Sequence, residues 1–425
     1  MRTITIISLL LALGLAGVAG AQPYQGPIVV GGSSIQTLTL TGAQKYVFDN
    51  QGTASGMTMD LANNEVLFSD SAAKGWLSID VTTGTVTTIL TNTAIFDYPT
   101  ELVIDQNGDH IMVGAGPFGV TGYGIYKVSG STITTITTTL AMGVAASFTG
   151  GLEIDIDSGN LLAQLYGGSA GPHPLLSIAA DGTFTTITPN TSGFGARFQF
   201  TQDIRTGDLY VGSIDSGAGL GLLLRVNKST GAVSTVATNG SDKYCWNVIH
   251  ADRASSSLPQ LFSSYLKYVY FTDLKSFTVT SVATSSQAVS PRSMEILGSR
   301  NLQTVRTATK GAGAWDIQLN CPHHPSKAYL LGMTLSGVRP GVTFPDGRTI
   351  FINPDLVTVL TVNSQLPGIF SQGSGILDPN GTAVGKLNMT AFPKLGLTAH
   401  IIALVLDKSA YAGIGLITDP YVIQL

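Results

Sequence analysis

The sequence predicts an all-β protein: a six-bladed β-propeller closed by strands from both ends of the chain, followed by a C-terminal β-sandwich. Three observations carry this. A short motif rich in Thr and β-branched residues recurs as Ile35-Gln36-Thr37-Leu38, Val86-Thr87-Thr88-Ile89, Ile133-Thr134-Thr135-Ile136, Phe184-Thr185-Thr186-Ile187, Val233-Ser234-Thr235-Val236 and Val279-Thr280-Ser281-Val282, at spacings of 51, 47, 51, 49 and 46 residues. That period is the length of one propeller blade. After Val305 the repeat stops, yet short alternating runs continue to Leu425, while apolar residues at helical spacing are almost absent throughout.

In chain order, Arg2, the apolar run from Ile4 to Val18 and the small residues Ala19-Gly20-Ala21 read as a cleaved signal peptide over 1–21. The run is shorter than the ~20 residues of a spanning helix, and no later stretch is apolar enough to span a bilayer. The mature chain is therefore expected to be secreted or held in the cell envelope, without a transmembrane segment.

The propeller is expected over 22–306. In its first full blade Gly56 to Asp60 is the inner strand, Glu65 to Ser69 the second, Trp76 to Asp80 the third and Thr85 to Leu90 the outer strand. Ala62-Asn63-Asn64 and Thr82-Thr83-Gly84 supply the turns. The same reading fits Glu101 to Thr137, Leu152 to Thr188, Phe198 to Ala237 and Asn247 to Val282. The sixth blade is split: Ile28 to Val30 and Ile35 to Leu40 give its third and fourth strands, and Ser293 to Leu297 and Asn301 to Val305 its first and second. Closure from both termini hides sheet edges.

The sandwich is expected over 307–425, after the small-residue linker Thr307 to Gly313. Its candidate strands are Ala314 to Asn320, Ala328 to Thr334, Arg348 to Ile352, Val357 to Val362, Ala383 to Thr390, Leu397 to Asp407 and Gly415 to Leu425.

Glu65-Val66-Leu67-Phe68-Ser69-Asp70, followed by Trp76-Leu77-Ser78-Ile79-Asp80 and Gly84-Thr85-Val86-Thr87-Thr88, resembles a blade of the NHL/YWTD class of six-bladed propellers, as does the run from Glu101 to Asp109. The likeness covers roughly residues 27 to 305 and implies fold more than function, since the class includes ligand-binding receptors, scaffolds and metal-dependent lactonases. The tail is similar to a β-sandwich module recurrent in exported bacterial proteins, through Tyr329-Leu330-Leu331-Gly332, Leu377 to Ala383 and Ala403 to Asp407. That likeness implies export and no activity.

Composition excludes one partner class. With 22 Lys and Arg against 26 Asp and Glu, a net charge of −4 and no basic cluster, the chain has nothing to hold a nucleic-acid backbone. Its two cysteines, Cys245 and Cys321, are too few for a disulfide scaffold; they are left either paired with each other or free.

Starts of inner strands face a propeller's channel, and aligning them brings Gly56, Glu101, Gly151, Gln199, Asn247 and Glu295 to equivalent places. Glu101, Gln199, Asn247 and Glu295 form a candidate site for calcium or another divalent cation, because carboxylate and amide oxygens suit hard cations. The resemblance to lactonase-type propellers implies such a metal, although the full acidic and Asn set is not present. Asp105 to Asp109 and Asp155 to Gly159 read as turns; the former lacks the closing Glu of a calcium loop, since Gly116 stands there. Cys321-Pro322-His323-His324-Pro325 offers metal donors without a second ligand cluster and reads as a loop. No Gly-x-Ser-x-Gly sits on a strand-to-helix turn, so no nucleophile is singled out. Tyr98, Phe118, Tyr123, Phe194, Phe198, Tyr244 and Trp246 fall near blade rims, where aromatic rings either stack on sugars or fill the core.

Three functions follow in order: a non-catalytic exported scaffold binding a protein or glycan of the cell envelope, a metal-dependent lactonase-like hydrolase, and a carbohydrate-binding surface protein.

Overall fold

The computed structural model describes residues 28–31, 34–38, 44–49, 54, 56–80, 83–91, 98–115, 123–139, 147–166, 174–189, 199–215, 220–239, 249–252, 260–265, 268–273, 278–284, 293–296, 302–306, 313–391 and 396–425. Two compact units are present, one holding Gly26–Ala251 and Gln260–Leu297, the other holding the C-terminal Gly298–Leu425.

Among the described residues the first unit contains six four-stranded antiparallel sheets of the kind that make propeller blades. Sheet 1 runs Ser293–Ile296, Ile28–Gly31, Ser34–Leu38, Gln44–Asp49, and sheet 2 runs Met57–Asp60, Glu65–Asp70, Gly75–Ile79, Val86–Thr91. Sheet 3 is Tyr98–Ile104, His110–Ala115, Tyr123–Ser129, Thr132–Thr138, and sheet 4 is Ser147–Ile154, Leu161–Tyr166, Leu175–Ile178, Phe184–Thr188. Sheet 5 is Phe200–Gln202, Leu209–Asp215, Leu220–Val226, Val233–Asn239, and sheet 6 is Ile249–Asp252, Gln260–Tyr265, Tyr268–Asp273, Thr278–Thr284.

Two expectations for the split sheet are corrected. Only its first strand, Ser293–Ile296, comes from the far end of the chain, paired with Ile28–Gly31; three strands come from the N-terminal side. Residues 302–306 do not supply a second strand, because Leu302–Arg306 pairs with Ala314–Asn320 in the other unit. Consequently Ile35–Leu38 is a third strand, and the outer position belongs to Gln44–Asp49.

The recurring motif has a physical role. In each of sheets 2 to 6 the ladder between third and fourth strands carries a bulge, and the unpaired extra residue is the last of the motif: Ile89, Ile136, Ile187, Val236 and Val282. Sheet 1 has the same bulge at Val47. A bulge twists an edge strand away from further pairing, a needed protection in sheets 2 to 6, whose outer strands carry no charge. Ile89, Ile136 and Ile187 pack against apolar clusters that join their own sheet to the next. The glycines of the following hairpins take this contact: a Cβ on Gly182 would stand within 3.0 Å of the Ile136 carbonyl oxygen, and one on Gly231 within 3.0 Å of that of Ile187. Both glycines also have positive φ, +85° and +72°, as their turns require.

The second unit has two main sheets on one core. Trp315, Ile317 and Leu319 alternate inward from Ala314–Asn320, and Tyr329, Leu331 and Met333 from Ala328–Thr334; they meet Leu387, Ile401, Ala403 and Val405 in one buried cluster. The run expected as a strand over 357–362 is instead a helix, Leu356–Val362. Asp355 starts it with a capping box: its carboxylate accepts from the Thr358 amide at 2.8 Å, and the Thr358 hydroxyl accepts from the Asp355 amide at 3.2 Å. The bare Cα of Gly332 lets the helix lie on the sheet, with Val362 Cγ2 3.3 Å from where a Cβ would be.

Candidate functional site

The first strands of consecutive sheets approach so closely that side chains cannot stand on all of them. A Cβ on Gly56 would stand within 3.0 Å of the Thr100 carbonyl oxygen, and one on Gly151 would lie 3.0 Å from the Phe200 nitrogen and 3.2 Å from Gln199 Cα. Sheets 2 and 4 are therefore bare at this level, and sheets 3 and 5 carry Glu101 and Gln199. Both Glu101 and Gly151 lie where the first strand slips register against the second, between Pro99 and Leu102 and between Phe148 and Leu152. Such bulges re-aim side chains.

Glu101 and Gln199 meet across sheet 4. Gln199 Nε2 donates to Glu101 Oε1 at 3.0 Å and Oε2 at 3.2 Å. Glu101 is 8% exposed. Burial pushes its carboxyl up to about 8, partly countered by the Gln199 amide. At neutral pH it is a largely uncharged acid, a donor and acceptor together. Of the other expected ligands, Glu295 lies in the strand Ser293–Ile296 opposite Val29, and Asn247 falls outside the described residues. Among the described residues no three His, Cys, Asp or Glu side chains are grouped to hold a metal ion.

At the opposite end of these strands the Asp-bearing turns are built as turns and cross-braced. Asp105 Oδ1 accepts from the amides of Asn107 and Asp109 at 2.7 and 3.0 Å, and Lys127 bridges Asp105 and Asp109 at 2.6 and 2.7 Å. Arg225 Nε donates to Asp208 at 2.6 Å. In sheet 4 the equivalent pair is the neutral Asn160 and Ser177, joined at 3.2 Å. Asp155 and Asp157 there take their cation from sheet 5, as Lys228, which is 2.6 Å from Asp155 and also bonded to Asp157. Gln202 ties the same turn, accepting from the Ile156 amide at 2.8 Å and donating to Asp155 at 2.9 Å. Burial acts to raise the Asp155 carboxyl, but Lys228 and Ser158 outweigh it and hold it below the ordinary range. The sequence signal for this brace was a lysine just past the third strand of the following sheet.

A second feature was visible only as an interruption. Gln164 breaks the apolar run Leu161-Leu162-Ala163-Gln164-Leu165, is 4% exposed, and its Oε1 has no hydrogen-bond partner among the described residues. In sheet 2 the residue at the same level, Ser69, accepts from the Gly56 amide at 2.9 Å.

In the second unit Cys321 belongs to the buried core as a free thiol, pushed up to about 12 by burial. It is thus withdrawn from the neighbouring His323 and His324, and Cys245 lies outside the described residues. Of the rim aromatics, Tyr123 packs against an intersheet cluster; Phe118, Phe194, Phe198, Tyr244 and Trp246 also lie outside them. No helix among the described residues is long and apolar enough to cross a membrane.

No protein-family model matches the chain, and no curated protein matches it. Among solved structures it is similar to a chain in the crystal structure of a nidogen/laminin complex, at 14% identity and a TM-score of 0.49, covering 64% of this chain and 97% of that one.

Proposed function

We propose that the protein is an exported, non-catalytic binding scaffold, in which a six-bladed propeller closed by Ser293–Ile296 carries the recognition surface and a β-sandwich is the accessory module. The observation that carries this reading is the Glu101–Gln199 pair. A metal-dependent lactonase requires ionised carboxylates free to bond a cation. Here the Glu101 carboxyl is 8% exposed and both of its oxygens are engaged by the Gln199 amide. Arg2, the apolar run and Ala19-Gly20-Ala21 support export to the cell envelope or beyond, where a protein or glycan would be the partner.

Elemental mass spectrometry of residues 22–425, after incubation with calcium, magnesium, manganese and zinc and then desalting, tests the reading. The expected result is no stoichiometric metal. A stoichiometric ion that disappears in Glu101→Gln would overturn it in favour of the hydrolase.

A further inference from the structure

The second unit exposes a strand edge without the bulge that the outer strands of the first unit carry. Ser374–Ile376 pairs on one side with Ala328–Thr334, Ile376 opposite Ala328 and Ser374 opposite Leu330; among the described residues no strand pairs with its other side. Leu331 N donates to Gly373 O at 2.6 Å and Leu377 N to Lys327 O at 2.8 Å, so residues 373, 375 and 377 turn their backbone groups inward. The N–H and C=O groups of Ser374 and Ile376 therefore point outward along the edge. The strand has no charge, no proline and no register shift, and all three of its residues are exposed. On the solvent face of the sheet it extends an apolar rung: Ile376, 72% exposed, then Ala328, then Leu406, 41% exposed. The adjoining ionic groups are already engaged. Lys327 pairs with Asp407 at 2.9 Å, and Asp378 accepts from the amides of Asn380 and Thr382 at 2.9 and 2.7 Å.

An outward row of donors and acceptors fits another extended strand. We infer that Ser374–Ile376 is a homodimer interface, at which the same strand of a second copy adds antiparallel across a twofold axis at Gly375. The row is self-complementary. About that axis Ser374 faces the partner's Ile376 and Ile376 faces the partner's Ser374, and each pair exchanges two N–H···O bonds. Gly375 meets the partner's Gly375 in the intervening non-bonded pair, the closer kind at about 4.5 Å between Cα atoms. The rung of Leu406, Ala328 and Ile376 then continues into the partner's Ser374, Leu330 and Leu404. It carries no charge to meet its like, and Ile376 lies diagonal to the partner's Ile376. A foreign strand finds no ionic group at this edge to select it. Under the scaffold reading, pairing here puts two recognition surfaces on one particle and raises avidity for a repeated partner. So short an interface falls below the ~1,200 Å² of lasting complexes, and the dimer is expected to be reversible, forming at about 10–100 µM.

The test is sedimentation velocity of residues 22–425 between about 1 and 500 µM, with hydrogen–deuterium exchange of the peptide spanning residues 372–378 at both ends of that range. The parent is expected to shift from monomer to dimer, and the amides of this peptide to exchange several-fold more slowly at the high concentration. Ile376→Lys, with Ser374→Lys as a second variant at the other end of the strand, should stay monomeric at the high concentration. Both variants should melt like the parent at the low one, because both side chains are exposed in the monomer. That melt separates a lost interface from a lost fold. A parent that stays monomeric throughout the range would overturn the inference and leave the edge to a foreign strand. A dimer that persists in both variants, or exchange of residues 372–378 that does not depend on concentration, would overturn it as well.

Discussion

Glu101 shows how one buried side chain sets a pH dependence. Its folded pKa of about 8 lies above the ordinary value of 4.5, so between those two pH values the folded protein retains a proton that the unfolded chain has released. Stability from this group is complete below pH 4.5, falls as pH rises through the window, and is lost above pH 8. Glu101→Gln keeps an acceptor for Gln199 and removes the titration. It should raise stability near pH 7 by on the order of 3 kcal/mol and flatten the slope of denaturation midpoint against pH between 5 and 8. An unchanged slope would show that the carboxyl is solvated. Asp355 works in the opposite sense. Burial acts to raise its carboxyl, but the amides of Thr358 and Leu335 and the hydroxyls of Thr334 and Thr358 hold it below the ordinary carboxylate range, so its contribution is lost as pH falls. Asp355→Ala removes both the helix cap and the anchor of Leu335 and Ser336, whose amides it accepts at 2.8 and 3.1 Å. A loss of about 2 kcal/mol in urea denaturation is expected.

At the scale of elements, the bulge and the hairpin glycine act as one device. Gly182 and Gly231 have both a positive φ and a carbonyl oxygen where a Cβ would go, whereas Gly130, at φ +58°, has nothing within 4 Å. Gly130→Ala should therefore cost about 1 kcal/mol from its backbone alone, and Gly182→Ala or Gly231→Ala roughly 2–4 kcal/mol. Equal costs at the three sites, measured by urea denaturation, would show that the hairpins do not brace the preceding sheets. The helix Leu356–Val362 marks where local pattern is ambiguous. Leu-Val-Thr-Val-Leu-Thr-Val has the β-branched content of a strand, and a run of seven residues is too short for periodicity to decide. Asp355 and Thr358 were the available signal, since together they form a capping box that a strand has no use for.

For the whole molecule, the decisive strands are the two that flank the change of unit. Ser293–Ile296 pairs back to Ile28–Gly31, and Leu302–Arg306 pairs forward to Ala314–Asn320. A fragment of residues 298–425 should accordingly be soluble and melt cooperatively. One of residues 307–425 exposes the edge of Ala314–Asn320 and should aggregate or melt at a lower temperature. Equal behaviour of the two fragments in light scattering and thermal melts would remove Leu302–Arg306 from the sheet. The sequence by itself determined the all-β character, the repeat near 49 residues and the level at which Glu101 and Gln199 stand, because alternation, turn glycines and a recurring motif are written locally. Only the tertiary structure decided that Ile35–Leu38 is a third strand, that Leu302–Arg306 joins the second unit, and that the Glu101 and Gln199 side chains bond to each other. Strand pairing joins residues far apart in the chain, and a short alternating run fits several partners equally until packing selects one.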